Sequence, residues 1–122
     1  MNEPKDILTA INALLTRHAD VLKVSKKGPE GFEVIGTFPV QQGRQQVPGH
    51  YFASTVLKPQ DVRLYFFPIY THPKQFALSE EFGKMLKGKS CFHIKRWDDG
   101  IAQEVEAMIE KGVSIYKDGG LI

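Results

Sequence analysis

Apolar residues recur at helical spacing in three stretches of the chain, and between the first two the pattern turns to alternation. From about Lys5 to Leu22, residues Leu8, Ile11, Leu15 and Leu22 share one stripe, with Ile7 and Leu14 beside it. That is the signature of an amphipathic helix, expected over residues 4–22. Asn2 or Glu3 followed by Pro4 suits its start, because a proline there gives up an N–H that has no helical partner. Lys26-Lys27-Gly28-Pro29-Glu30-Gly31 reads as a loop. Strands are expected within 32–70. Phe32 to Val40 is rich in β-branched and aromatic residues, with Gly36 and Pro39 limiting its regularity, and Gln42-Gly43-Arg44 reads as a turn. His50–Leu57 and Val62–Tyr70 are the strongest strands, and Lys58-Pro59-Gln60-Asp61 joins them as a hairpin, with proline at the favoured second turn position.

A short helix over 79–87 follows. Ser79 suits the N-cap, Glu80 and Glu81 suit the positive end of the helix dipole, and Phe82, Met85 and Leu86 form the buried side. Gly88 closes it. Residues 90–95 read as a last strand. A third helix over about 99–117 starts at Asp98 or Asp99, with Ile101, Val105, Met108 and Ile109 on one stripe; Gly112 either ends it or, the favoured reading, lets the stripe continue to Ile115 and Tyr116. Helix, strands, helix, strand, helix is not an alternating βαβ series. It predicts a single α+β domain over 1–122, a two-layer sandwich with a mostly antiparallel sheet and helices packed on one face.

If residues 58–61 form the turn, Leu57 opposes Val62, and strict alternation assigns the two faces of the hairpin. Tyr51, Ala53, Thr55, Leu57, Val62, Leu64 and Phe66 then form the core face. Phe52, Ser54, Val56, Arg63, Tyr65, Phe67 and Ile69 form the other, with Phe52 opposite Phe67 and Ser54 opposite Tyr65. A two-layer fold leaves that second face to solvent, yet it is aromatic. Such a face marks a ligand or partner surface, a homodimer interface, or a face covered by another segment of the same chain.

Composition narrows the field. The chain has 122 residues, 42% hydrophobic and 25% charged, with 8 Phe, 4 Tyr and 1 Trp, which argues for a packed core rather than disorder. One cysteine excludes a disulfide scaffold. No apolar run approaches the roughly 20 residues of a membrane span, and the first residues resemble no signal peptide. A cytoplasmic protein away from membranes is expected. Lys+Arg is 16 against Asp+Glu 14, a net charge of +2, so nucleic acid is not the expected partner even though Lys84, Lys87, Lys89, Lys95 and Arg96 crowd together near Phe82, Phe92 and Trp97.

Gly83-Lys84-Met85-Leu86-Lys87-Gly88-Lys89-Ser90 matches the phosphate-binding pattern G-x-x-x-x-G-K-[ST]. That motif works only between a strand and a helix that starts at its Lys-Ser. Here a helix precedes it and a strand follows, so the match is coincidental. Cys91 and His93 lie two apart on a strand and share a face, while Phe92 and Ile94 face the core. Their Cα atoms are then about 6.5–7 Å apart, long for a thiol–imidazole nucleophile pair. A metal bridging them would need further ligands, with His50 and His72 as the free candidates. The plainer readings are a small buried hydrophobe at Cys91 and a hydrogen-bonded strand residue at His93.

Gly88-Lys89-Ser90-Cys91-Phe92-His93-Ile94-Lys95, after Tyr51-Phe52-Ala53-Ser54 and Tyr65-Phe66-Phe67-Pro68-Ile69-Tyr70, resembles the YdhG-like family of small bacterial proteins. The resemblance spans residues 30–118. It implies an α+β sandwich with a frataxin-like helix–sheet arrangement, and, from the label some relatives carry, an iron-chaperone role. It implies no catalytic residues. Iron needs clustered oxygen ligands, and the first helix offers only Glu3, Asp6 and Asp20 among Lys5, Arg17 and His18.

The expectation is a non-enzymatic module that binds a small molecule or a protein partner. Phe52, Tyr65 and Phe67 would line its surface, joined by Cys91 and His93, with Lys89 at the rim. Neither a cofactor nor a metal is expected from the residues themselves; iron enters only through the family. The alternatives are a frataxin-like iron protein and a small enzyme using Cys91.

Overall fold

In a computed structural model, residues 3–29 and 31–122 are described; Met1 and Asn2, at the expected start of the first helix, and Glu30, in the expected loop, lie outside them. Helix α1 (Pro4–Thr16) buries Ile7, Leu8, Ile11 and Leu15. Its N-cap residue Glu3 makes no side-chain capping bond. A cap is worth about 1 kcal/mol, whereas each buried aliphatic side chain contributes about 1.5–3 kcal/mol, so packing holds α1 in place. The helix ends six residues short of the expected Leu22. The chain turns through His18, whose carbonyl accepts from the Val21 and Leu22 amides, and Leu22 spends its burial on a strand instead.

That strand is β1 (Leu22–Gly28), which takes in the first half of the expected loop. It pairs antiparallel with β2 (Gly31–Gly36). Only Leu22 of β1 is buried. As the outermost strand of the sheet it carries Lys23, Lys26 and Lys27, the charged residues that keep an open edge from pairing with other chains. After β2, β3 (Val40–Gln42) and β4 (Gln45–Val47) make a separate small hairpin around Gly43. Strands β5 (Tyr51–Leu57) and β6 (Val62–Phe66) form the expected hairpin, with Leu57 opposite Val62 and Ser54 opposite Tyr65. Strand β7 (Cys91–Ile94) completes an antiparallel sheet of order β1-β2-β5-β6-β7.

Two expectations on this hairpin are corrected. Against β2, Val34 pairs with Ala53 but Ile35 pairs with Tyr51, so β5 carries one extra residue at Phe52. Such a β-bulge breaks alternation. Phe52 and Ala53 are both fully buried, and Tyr51, expected in the core, is half-exposed. Phe52 is therefore a core residue, not part of a binding face. At the other end β6 stops at Phe66, because Pro68 has no N–H for a ladder. Phe67 is not the strand residue expected opposite Phe52; it opens the short helix α2 (Phe67–Thr71).

A 3-10 turn (Pro73–Gln75) leads to α3 (Glu80–Gly83), shorter than expected, where the Ser79 hydroxyl accepts from the Phe82 amide. Residues 85–87 do not continue the helix. They run beside β7 through a Leu86–Phe92 bridge, with the Lys87 amide donating to Cys91 and the His93 amide to Met85, both at 2.8 Å. Gly88, at φ +124°, sits at the tip of that turn rather than capping a helix. The stretch from Gly83 to Ser90 thus lacks the strand–loop–helix order of a phosphate-binding loop.

Helix α4 (Asp99–Asp118) is capped by the Asp98 carboxylate on the Ile101 amide and runs through Gly112 as expected. The fold is α+β, with the helices packed against the sheet. α1 and α4 cover its inner face, meeting Val34, Leu64, Phe66 and Ile94 in one core. Phe82 of α3 stacks on Phe92 at 4.6 Å. A polar tie joins the layers: Thr55, buried, donates to Asn12 of α1 at 2.8 Å. Among the described residues no helix is long and apolar enough to cross a membrane.

Gly112 marks the tightest approach of α4. A Cβ there would lie 2.6 Å from Phe66 Cζ and 3.0 Å from Pro68 Cγ, and the Phe66 ring is fully buried. Gly112→Ala gains about 1 kcal/mol of helix propensity but overpacks a core that yields at a cost of about 1–3 kcal/mol. Urea denaturation is expected to show a lower midpoint with an unchanged slope, and a larger drop for Gly112→Val.

Candidate functional site: a cationic groove on the outer sheet face

The outer face of the sheet is read off the register. One row across the strands is Cys91–Tyr65–Ser54–Glu33, and the next is His93–Arg63–Val56. All seven side chains are half-buried rather than buried. The 85–87 segment extends both rows, placing Lys87 beside Cys91 and Met85 beside His93. Cys91 and His93 share this face as expected. Their cross-strand neighbours are Tyr65 and Arg63, however, so the thiol has a phenol beside it rather than the imidazole.

At the turn end of β5 and β6 these rows open into a groove of about 830 Å³. Lys58, Arg63, Lys84, Lys87, Lys95 and Arg96 line it, with His93 among them and only Asp61 and Glu81 as carboxylates. Both carboxylates are already engaged. Arg63 Nε donates to Asp61 Oδ1 at 2.9 Å, and Asp61 is buried under it. Arg96 Nη2 donates to Glu81 Oε2 at 2.8 Å. Lys84 stands 3.6 Å from Glu80 on an exposed helix turn, a pair worth little. Among the described residues, Lys58, Lys87 and Lys95 make no ion pair.

His93 registers this field. Partial burial lowers its pKa, Arg63 lowers it further, and Lys87 and Lys95 add to that against an opposing pull from Asp61. Tyr65 is pushed up from the ordinary phenol value by burial and then by the neighbouring Cys91.

Beyond Tyr65 the aromatic side chains continue away from the groove. The Tyr51 and Ser54 hydroxyls share a 2.5 Å hydrogen bond. The Phe67 ring lies 5.7 Å from Tyr51 and stacks on Tyr70 at 5.5 Å, and Lys89 Nζ sits 5.9 Å over Tyr70. Tyr70 is 49% exposed. Of the residues expected at the site, Tyr65, Cys91 and His93 thus come together on one face, Phe67 packs against Tyr51 past the end of β6, Lys89 stands over Tyr70 beyond it, and Phe52 is in the core.

The groove draws on residues the sequence does not mark as a site. The crowding of lysines between 84 and 96 is visible in the chain, but Lys58 and Arg63 join them only because β6 pairs with β7. His50, by sequence a candidate only for ligating a metal, has another role. Its Nδ1 lies 3.0 Å from the buried Tyr116 hydroxyl, which donates to the Tyr51 carbonyl. Burial pushes the Tyr116 phenol well up, so this cluster anchors α4 to the bulge. Among the described residues, no three His, Cys, Asp or Glu side chains come together as a metal site. Among the described residues, the acids of the first helix region take part in no such cluster of oxygen ligands.

In comparisons with known protein families, curated proteins and solved structures, nothing matches this chain.

His93 is expected to titrate below the ordinary 6.5 or so of a histidine. Between its folded and unfolded midpoints the unfolded chain binds more protons, so this histidine's contribution to stability is lost as pH falls below about 6.5. Arg63→Gln removes a repelling charge and frees Asp61, and both effects raise the midpoint. Titration of the His93 ring protons by NMR checks this, and a midpoint that Arg63→Gln leaves unmoved contradicts the assigned field.

Proposed function

We propose that this protein is a non-enzymatic binding module that takes an anionic group in the groove between the β5–β6 turn, the end of β7 and the 81–87 segment. One observation carries the reading. Six lysine and arginine side chains face two carboxylates in the groove, against a net charge of +2 for the whole chain. The remainder of the protein is net negative, so the positive charge is concentrated where the surface is concave. Concave, one-sign surfaces focus the field and raise the local concentration of counter-ions.

The chemistry suits several weakly held charges better than one buried anion. The unpaired cations are lysines, point charges without the fork that grips a single carboxylate or phosphate. Each attracts an anion at 4 Å by about 1 kcal/mol in water and about 4 kcal/mol where the surface excludes solvent. Several such contacts are needed for binding. The side chains supporting a reaction are poorer: the thiol of Cys91 has Tyr65, not a base, across from it. The resemblance to the YdhG-like family implies no reaction and is compatible with this reading.

Inorganic tripolyphosphate is the simplest probe. Calorimetry at 50 mM salt is expected to show binding that weakens steeply by 200 mM, since exposed charges are screened over about 10 Å at such concentrations. Lys87→Glu with Lys95→Glu is expected to abolish it while far-UV circular dichroism stays unchanged. The His93 midpoint is expected to rise when the probe is bound. Absence of heat with the unaltered protein at 50 mM salt removes the proposal.

A further inference from the structure

The groove does not end in bare surface. From Arg63 at its rim, the next outward side chain along β6 is Tyr65, about 7 Å away. Lys87 flanks the Cys91–Tyr65 row on the β7 side. Past Tyr65 come the Tyr51 hydroxyl on Ser54, then Phe67, then the exposed Tyr70 with Lys89 above it. Cations and half-exposed rings therefore follow one another from the β5–β6 turn across the outer face to Tyr65 and Tyr51, and past the end of the sheet through Phe67 to Tyr70 and Lys89 beside the Gly88 turn.

We infer that the ligand is a single-stranded nucleic acid, its phosphates running through the groove and its bases leaving it to stack on Tyr65 and, farther along, on Tyr70. This rests on the anion-binding reading above and extends it. Proteins that hold single strands combine a basic channel for the backbone with aromatic side chains for the bases, and an antiparallel sheet face presents both. A compact phosphate ligand would use the groove and have no need of the rings. An acidic peptide would meet the lysines, but its carboxylates have no use for the rings, whereas every nucleotide brings both an anion and a π-face. A duplex keeps its bases stacked inside, out of reach of a ring lying on a sheet. The low net charge of the chain does not oppose this, because the groove carries more positive charge than the protein as a whole.

Fluorescence anisotropy with a labelled eight-nucleotide single strand of mixed sequence, at 50 mM salt, tests the inference beside tripolyphosphate. The single strand is expected to bind tighter than a duplex of the same sequence. Tyr65→Ala, outside the groove lining, is expected to weaken the single strand roughly five- to 160-fold, the range of one lost base stack, and to shift tripolyphosphate by less than about twofold. Tyr65→Phe keeps the ring and is expected to bind the strand like the unaltered protein, which separates stacking from loss of fold. Equal affinity for single strand and duplex, or a strand affinity indifferent to Tyr65→Ala, overturns the nucleic-acid inference and leaves anion binding standing. Tyr65→Ala losing both ligands alike also overturns it. No binding of either probe by the unaltered protein removes both readings.

Discussion

The bulge in β5 sets which side of the sheet the Tyr51 and Phe52 rings occupy. With an extra residue at Phe52, that ring turns under α4 and meets Phe66 and Tyr116 edge-on, at 5.4 and 5.1 Å. Tyr51 is released to the other side. Gly112 lets α4 approach closely enough to cover these rings, and the Tyr116 hydroxyl reaches past them to the Tyr51 carbonyl. Without the extra residue, strict alternation would leave Phe52 in water and force Tyr51 and its hydroxyl into the core. Burying a hydroxyl with no partner costs about 1–3 kcal/mol by mutational measures. The core and the outer face are thus two consequences of one local departure from alternation.

Charge distribution is the second organising feature. The β6–β7 pairing sets Arg63 beside His93, the β5–β6 turn contributes Lys58, and the 85–87 segment brings Lys87 alongside. The two carboxylates of the groove each neutralise an arginine, so what remains for a ligand is a set of lysines. Covering the outer side of β7 with residues 85–87 serves both roles at once. It pairs backbone groups that an edge strand would leave open, and it places a lysine on the ligand side while Leu86 faces the core.

Much of the fold was legible in the chain because it depends on local pattern. The stripe of Ile7, Leu8, Ile11 and Leu15, the caps Ser79 and Asp98, and the Pro59 turn each act over a few residues, and each is where the pattern places it. β1 was not legible. A lysine-rich strand at a sheet edge buries almost nothing, so it carries no alternation to read, and only pairing with β2 makes it a strand. The same holds for residues 85–87, which read as helix by their spacing of Phe82, Met85 and Leu86. Phe52 was misassigned because a bulge is decided by the partner strand, where Val34 and Ile35 pair two steps apart on β5.

The candidate site divides along the same line. The sequence by itself determined that Cys91 and His93 share a face and that lysines crowd the segment from 84 to 96, because period-two alternation along one strand and proximity in the chain need no partner; that Tyr65 joins them depends on the β6–β7 pairing. Only the tertiary structure decided that Lys58 and Arg63 stand among those lysines, that Tyr51, Phe67 and Tyr70 form one run of rings, and that Phe52 belongs to the core. Those facts depend on strand order, on a bulge and on a helix beginning at Phe67, and each of these is settled by residues distant in sequence competing for one buried surface.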